Sequence, residues 1–342
     1  MRVRYGGQGK GGRVVEGGSL ENCYIGNGIE SSNLSPSAKI GMYLTMKKVV
    51  VTGGAGFIGR HVTKKLIAEG YETHIIDSLV GSEESQVNPQ AIFHKLDINE
   101  TEEVARICTG AEGIFHLAAL PSVPFSIEDP ITSAKTNLLG TISILQAAKE
   151  AGVKRVIFSS SSAVYGEQEI LPVAESAETG PRSPYGLQKL QSEEQCRLFS
   201  ELYRVETVCL RYFNVYGKGQ NPDGPYASVI PKFIRLRQEG KPLTVTGDGS
   251  QTRDFVHVND VAEANFLAFT SPEIFKGEII NVGSGKEWTV KDIAEMIGGE
   301  IEYIEARKEI KRSVADAIKA EKMLRWKVRV GFTEGIKEIL EK

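Results

Sequence analysis

Two side chains in the segment "SPYGLQK" have the types and the spacing that proton transfer needs. Tyr185 and Lys189 are four residues apart, so a helix would place both on one face. A nearby ammonium stabilises a phenolate and would lower the pKa of Tyr185 from its usual value of about 10 toward the operating pH. Tyr185 is therefore a candidate general base. The same spacing is common on ordinary surface helices, so this chemistry depends on what the rest of the chain supplies.

A glycine-rich turn is the first support for the pair. The segment "VTGGAGFIG" at residues 51–59 follows an apolar run and contains Gly53, Gly56 and Gly59. In such a turn the first glycine permits the bend, the second lets the backbone approach a pyrophosphate, and the third allows close helix packing. The phosphates would lie at the positive N-terminus of the helix, beside Phe57 and Ile58.

An acidic residue at the end of the next strand-like run extends this site. Asp77 closes "THIID", a little under twenty residues after Gly59. A carboxylate there accepts both hydroxyls of a ribose and repels a 2′-phosphate, which favours NAD over NADP. The alternative is a glycine turn with a solvent-facing Asp, and Arg60 and the nearby lysines leave use of NADP open.

The elements that must position these residues alternate along the chain. Short apolar runs predict strands at "KKVVVTG", "THIID", "AIFHKLDI", "GIFHLAA", "RVIFSSS" and "ETVCLRYF". Helical patterns lie between most of them, at "IGRHVTKKLIAEG", "ETEEVARIC", "ITSAKTNLLGTISILQAAKEAG" and "PYGLQKLQSEEQCRLFSELY". This alternation predicts an α/β fold, a doubly wound parallel sheet of the Rossmann type with both faces covered. Serines follow the strand "RVIFSSS", at the edge of the sheet where ligands bind.

The chain divides into three parts by composition. Residues 1–45 are rich in glycine and lack periodicity, so we expect a poorly ordered extension, with Met46 as the physiological start. Deletion of 1–45 should then leave folding and activity intact. Residues 46–215 are predicted to form the NAD-binding domain, to which part of 252–283 returns, and 216–342 mainly a smaller substrate-binding lobe with a final helix, "FTEGIKEILEK".

Composition excludes several classes of partner. The 41 Lys and Arg nearly balance the 44 Asp and Glu, so neither a nucleic acid nor a membrane surface is expected as partner. The four cysteines form no CxxC or other close pair, which argues against a metal or a disulfide and favours the reducing cytoplasm. No apolar run approaches the roughly 18 residues of a membrane span.

The three glycines, spaced G-x-x-G-x-x-G, match the turn of short-chain dehydrogenase/reductase proteins. From about residue 47 to the C-terminus, the chain resembles the extended branch, the NAD-dependent epimerase/dehydratase family, and within it the UDP-hexose 4-epimerases. The resemblance implies that Ser161 is the active-site hydroxyl, that Tyr185 is the base, and that Lys189 also holds the nicotinamide ribose. It implies further cofactor contacts from Ser82, Asp97, Ile98, Leu117, Ala118, Ala119, Asn137 and Phe213. A buried Asn137 that bonds the backbone is an equally good interpretation.

The resemblance also implies substrate contacts. These are Ser160, Asn214, Tyr226, Arg253, Arg307 and Ser313, with the two arginines suited to a diphosphate. Serine at 313 leaves room for a 2-acetamido group. The segment Arg307-Lys308-Glu309 is one residue shorter than the family pattern. Where related dehydratases carry an Asp-Glu pair, this chain has Ser162 and Ala163, so dehydration lacks proton carriers.

We therefore expect NAD-dependent 4-epimerisation of a UDP-hexose, glucose or galactose and their N-acetyl forms, through a 4-keto intermediate. Alternatives are a UDP-glucuronate 4-epimerase, a net dehydrogenase or reductase on the same scaffold, and a non-catalytic NAD-sensing binding protein. The resemblance implies a homodimer, through helices at about 131–151 and 185–203 that pack as a four-helix bundle.

Overall fold

A seven-stranded parallel sheet forms the centre of the computed structural model, which describes residues 46–222, 228–306 and 310–341. Its strands are β1 (Lys48–Thr52), β2 (Glu72–Asp77), β3 (Ile92–Lys95), β4 (Gly113–His116), β5 (Arg155–Ser161), β6 (Glu206–Tyr212) and β10 (Lys276–Val282). Their order is β10-β6-β5-β4-β1-β2-β3. The remaining described strands are β7 (Asn214–Tyr216), β8 (Leu243–Thr246), β9 (Thr252–His257), β11 (Glu287–Thr289) and β12 (Ile301–Ile304).

Helices connect the strands and cover the sheet. They are α1 (Phe57–Ala68), α2 (Thr101–Cys108), α3 (Val123–Glu128), α4 (Pro130–Ala134), α5 (Gly140–Ala151), α6 (Pro184–Tyr203), α7 (Val229–Gln238), α8 (Val258–Thr270), α9 (Val290–Ile297), α10 (Ile318–Leu324) and α11 (Phe332–Leu340). Short 3₁₀ turns lie at Glu84–Gln86 and Ser162–Val164. Among the described helices, none is both long enough and apolar enough to cross a membrane.

Both faces of the sheet are buried, which explains why its strands are continuously apolar rather than alternating. On β1, Val49 and Val51 join one core with α1 and α8, whereas Val50 joins the opposite core with α2, α5 and α6. The carboxyl ends of β1 and β4 lie side by side at the point where the strand order reverses. Open α/β sheets bind ligands in the crevice at this point.

One predicted helix differs from the structure. The pattern "ITSAKTNLLGTISILQAAKEAG" predicts a continuous helix, but α4 and α5 are separated by a π-helical turn at Lys135–Leu139. The carbonyl of Asn137, within this turn, accepts hydrogen bonds from the hydroxyls of Thr141 at 2.7 Å and Ser192 at 3.1 Å. Turns of this type are frequent at functional sites, and this one places Asn137 in the interior.

Two smaller sheets lie outside the central one. One has the order β11-β9-β7, and the other pairs β12 with β8. They surround a separate apolar core that includes Phe233, Val245, Phe255, Ile293 and Phe332. Residues from Met46 onward form one compact unit. The boundary between a cofactor domain and a substrate lobe at residue 215 stays a prediction, as does any property of residues 1–45, which lie outside the described residues.

Candidate active site

Helix α6 begins at the carboxyl edge of the central sheet. Ser183 caps it by accepting a hydrogen bond from the Gly186 amide at 3.1 Å, and Pro184 occupies the first turn, where its missing N–H is not needed. The backbone amide of Tyr185 donates to Ser126 Oγ at 3.1 Å, which joins the start of the helix to α3. Tyr185 is buried, with 8% of its surface exposed.

The structure brings the three predicted catalytic residues together. Ser161 ends β5, with its hydroxyl close enough to the Tyr185 phenol to lower the pKa of that phenol. Lys189 lies one helical turn further along α6, with its ammonium 5.9 Å from the centre of the Tyr185 ring. It donates to the Ser159 carbonyl at 2.7 Å. This arrangement suits proton transfer at the sheet edge, and the individual catalytic roles stay predictions.

The expected effect of Lys189 on the pKa of Tyr185 is wrong for this arrangement. Burial raises the pKa of the Tyr185 phenol above its ordinary value, and the neighbouring Ser161 hydroxyl opposes that rise only in part. The ammonium is directed to the Ser159 carbonyl instead. Burial also lowers the pKa of Lys189, to about 8. Sequence spacing alone did not account for the cost of removing both groups from water.

The glycine turn fits a dinucleotide. Gly53 has a φ of +70°, and a Cβ there would lie 2.6 Å from the Ala118 amide nitrogen. A Cβ on Gly59 would lie 2.0 Å from the Gly53 carbonyl oxygen, so α1 packs against the turn only because glycine is present. At Gly56 the nearest contact is at 3.2 Å. Because α1 has neither a side-chain cap nor an acidic residue in its first turn, its positive N-terminus suits a pyrophosphate.

Asp77 is fixed beside this turn. Its carboxylate accepts hydrogen bonds from the Ala55 amide at 3.0 Å, the Leu79 amide at 2.9 Å and the Ser82 hydroxyl at 3.2 Å. The structure therefore brings Asp77, the predicted ligand of the ribose, together with Ser82, which is predicted to lie near the adenosine phosphate. The buried Lys189 ammonium has three protons to donate. Among the described residues, the Ser159 carbonyl accepts one of them, so the ammonium can also donate to a ribose hydroxyl.

The other predicted cofactor residues lie along the same edge. Leu117, Ala118 and Ala119 form the loop after β4, next to Gly53. Asn137 is 1% exposed, and its amide bonds both the N–H and the C=O of Leu120, which is the backbone-binding interpretation. Whether it also contacts the cofactor stays a prediction.

Three further residues of this set differ in exposure. Asp97 is exposed and bonds the backbone and side chain of Asn99. Ile98 is 5% exposed and packs in the core, where its carbonyl accepts from Ser143 at 2.5 Å. Phe213 is 2% exposed. Their cofactor contacts stay predictions.

The predicted substrate residues are divided between described and undescribed parts of the chain. Asn214 donates to the Asp254 carbonyl at 2.8 Å, and the Ser313 carbonyl accepts from the Asp254 amide at 2.8 Å. Arg253, between them on β9, bonds the Thr252 carbonyl at 2.8 Å. These three residues therefore lie on adjacent segments. Tyr226, Arg307 and Glu309 lie outside the described residues.

Ser160, the other predicted substrate contact on β5, is buried. It is 2% exposed, and its hydroxyl donates to Glu193 at 2.5 Å. Its contact with the substrate stays a prediction.

Sequence reasoning missed a buried carboxylate that organises the smaller sheets. Asp254 is fully buried and accepts hydrogen bonds from the amides of Ser284, Gly285 and Ala315 and from the Ser284 hydroxyl, at 2.6–3.0 Å. Burial raises its pKa, and these hydrogen bonds oppose the rise. Its partners lie 30 to 61 residues away, so no local pattern could reveal them.

Comparison with known proteins now identifies the family. The model of the NAD-dependent epimerase/dehydratase family matches residues 49–283. The chain belongs to this family. The fold class, the family resemblance and NAD as the cofactor are thereby confirmed, and the chain is an enzyme of this family.

Three relatives illustrate the similarity. A protein from Methanocaldococcus jannaschii, provisionally named a UDP-glucose 4-epimerase, is 40% identical over 301 residues, which cover 85% of this chain and 97% of the relative. The structure of UDP-glucose 4-epimerase with UDP-glucose from Thermotoga maritima is 36% identical, with a TM-score of 0.82 and coverage of 86% and 97%. UDP-N-acetylglucosamine 4-epimerase from Methanobrevibacter ruminantium, in complex with UDP-N-acetylmuramic acid, is 37% identical, with a TM-score of 0.82 and the same coverage.

Proposed function

We propose that the protein is a UDP-hexose 4-epimerase that uses NAD and regenerates it in every cycle. The observation that carries the proposal is that Ser161 lies beside the Tyr185 phenol at the carboxyl edge of the sheet, with the buried Lys189 one helical turn away. A proton acceptor beside a dinucleotide crevice is what oxidation of a hydroxyl requires. The similarity to UDP-sugar 4-epimerases supports the choice of substrate class.

In this proposal Tyr185 takes the proton from the C4 hydroxyl of the sugar and later returns it. When bound, NAD supplies the hydride acceptor and a positive charge. Ser161 hydrogen-bonds both the sugar oxygen and the phenol, so that the proton has a fixed path. Lys189 donates to the cofactor ribose in addition to the Ser159 carbonyl.

Epimerisation needs the ketone to turn over while the nucleotide stays bound. Arg253 is our proposed diphosphate ligand, because it precedes Asp254 on β9, and the backbone of Asp254 bonds both Asn214 and Ser313. Strong binding at the nucleotide and weak binding at the sugar permit this rotation. Ser162 and Ala163 follow Ser161 within a 3₁₀ turn, and neither provides a carboxylate for the elimination of water.

We propose that both plain and N-acetylated hexoses fit. Ser313 is partly buried beside β9, and its short side chain leaves room for a 2-acetamido group. A glucuronate substrate would need a basic residue near C6 of the sugar. The loop between β4 and α3, which leads to Ser126 and the amide of Tyr185, has the uncharged sequence "LAALPS". This loop therefore offers no basic residue for a glucuronate carboxylate.

We also propose that the protein acts as a homodimer. Helix α6 exposes a stripe that includes Leu187 (45% exposed), Leu198 (37%) and Leu202 (65%). Leu139, at the end of the π-helical turn before α5, is 55% exposed. Large exposed apolar side chains along neighbouring helices mark an interaction surface, and two copies of such a pair would form a four-helix bundle.

Incubation of the purified protein with UDP-glucose and, separately, with UDP-N-acetylglucosamine tests the proposal. ¹H NMR of the C4 proton should show both epimers in each reaction, without net formation of NADH. Stoichiometric change of added NAD(H) would indicate a dehydrogenase or reductase. Turnover of UDP-glucuronate alone would indicate the uronate epimerase, and bound NAD without any turnover would indicate an NAD-sensing protein.

A further inference from the structure

A buried ion pair lies behind the catalytic residues on the same face of α6. Glu193 is four residues beyond Lys189, and both it and Arg211 on β6 are 2% exposed. The Glu193 carboxylate accepts from Arg211 Nε at 2.8 Å and from Arg211 Nη2 at 2.7 Å. It also accepts from the Ser160 hydroxyl at 2.5 Å. Removing two charges from water is costly, so such a pair needs many hydrogen bonds or a function to offset the cost.

The pair belongs to a continuous connection between β5 and α6. Three successive residues at the end of β5 each contact this helix: the Ser159 carbonyl accepts from Lys189, Ser160 donates to Glu193, and the Ser161 hydroxyl lies beside the Tyr185 phenol. The three helical partners are spaced by four residues, on one face. The position of the strand end relative to the helix therefore sets all three contacts at once.

We propose that Glu193 is a positioning residue of the reaction, which keeps Lys189 in its ammonium form and holds the serines of β5 in register with Tyr185 and Lys189. This inference rests on the proposed function. Glu193 does not touch the crevice, since Ser160 and Arg211 occupy its carboxylate. It acts through Lys189, which must stay protonated to donate to both the Ser159 carbonyl and the cofactor ribose.

The electrostatic part follows from the surroundings of Lys189. Burial lowers the pKa of Lys189 to about 8, and the thiol of Cys196 and the carboxylate of Glu193 are among the groups that oppose this. The titratable groups around the ammonium are Tyr185, Glu193 and Cys196 on its own helix, Cys209 on β6 and His116 on β4; the Arg211 guanidinium is bound to the Glu193 carboxylate. Burial lowers the pKa of His116 to about 3, so this imidazole is neutral near Lys189. Glu193 is the carboxylate of the set.

Two variants separate this role from a purely structural one. E193Q keeps the shape of the side chain and removes its charge. The double variant E193Q/R211M also removes the opposing charge, so that no buried guanidinium is left without its partner if E193Q fails to fold. E206Q is the matched control. Glu206 lies at the opposite end of β6 from Arg211, where it pairs with Arg155 of β5.

The titration of Lys189 in the NAD-loaded protein is the decisive readout. NMR of ¹⁵N-labelled lysine side chains, assigned with K189M, should give a midpoint lower by about half a pH unit or more in E193Q, and a smaller decrease in E193Q/R211M, which also removes the guanidinium charge. E206Q should titrate like the unmodified protein. The alkaline limb of the pH profile of kcat/KM should move to correspondingly lower pH. Near that limb, kcat/KM of the variant should be lower by about a further twofold or more.

Unshifted midpoints in both variants, or the same shift in E206Q, would overturn the proposal. A loss of kcat/KM by the same factor at every pH would do so as well, because a structural pair alone predicts that result. The NMR titration does not depend on turnover, so it separates failure of this inference from failure of the proposed function.

Discussion

At the residue scale, the proposed catalysis depends on how the buried phenol of Tyr185 loses a proton. Burial raises the pKa of Tyr185, and the neighbouring Ser161 hydroxyl opposes the rise only in part, so ionisation of the phenol needs further stabilisation. Sequence spacing predicted that Tyr185 and Lys189 share one face of a helix, because a repeat of four is a local feature, and the family resemblance added Ser161. It did not predict Glu193 or Asp254, whose roles depend on partners that only the fold brings near.

Replacing Tyr185 with Phe should reduce turnover by about 100-fold or more, since it removes the general base. The ring still fills its buried position, so the protein should retain bound NAD. Epimerisation rates, together with NAD released on denaturation, measure both effects. Tyr203→Phe, on the exposed end of the same helix, is the control and should be unaffected. Unaltered turnover in the Tyr185 variant would remove this residue from the mechanism.

Replacing Ser313 with Tyr should impair the N-acetylated substrate more than the plain hexose. The larger side chain would occupy the space that we assign to the 2-acetamido group. The ratio of kcat/KM for UDP-N-acetylglucosamine and UDP-glucose should fall by about tenfold, comparable with other steric discriminations in pockets. Equal losses for the two substrates would show that Ser313 is not the gate.

At the element scale, the alternation of apolar runs and amphipathic helices correctly predicted the parallel sheet. Helix α6 occupies the predicted segment "PYGLQKLQSEEQCRLFSELY" in full. The break between α4 and α5 was not predicted, because residues 135–139 keep helical composition. The two hydroxyls that bond the carbonyl of Asn137 come from a later turn and from α6, which a local pattern does not include.

The turn between β1 and α1 gives a prediction with an internal control. Gly53 and Gly70 both have positive φ, +70° and +84°, but only at Gly53 would a Cβ meet other atoms. Gly70→Ala should lower the free energy of unfolding by about 1 kcal/mol from backbone strain alone. Gly53→Ala should cost more and reduce NAD content as well. Urea unfolding measures the free energy of unfolding, and NAD released on denaturation measures the NAD content. Equal effects in the two variants would contradict the proposed dinucleotide-binding turn between β1 and α1.

At the scale of the whole molecule, the exposed apolar stripe on α6 predicts association of two copies. Leu202→Glu should weaken the dimer, because it places a charge on a surface that would be buried. Ile274→Glu is the control, since Ile274 is 73% exposed just after α8 and outside the proposed surface. Light scattering should show a lower mass only for the Leu202 variant. A monomeric unmodified protein, or a dimer that both variants leave intact, would refute this surface.

The fate of the hydrogen at C4 tests the central claim most directly. UDP-glucose with deuterium at C4 is incubated with the protein in ordinary water until the two epimers equilibrate, and both are analysed by NMR and mass spectrometry. Because the hydrogen would leave and return as hydride within one active site, the account predicts that UDP-galactose and UDP-glucose both keep the deuterium. Replacement of the deuterium by solvent hydrogen during epimerisation would contradict it.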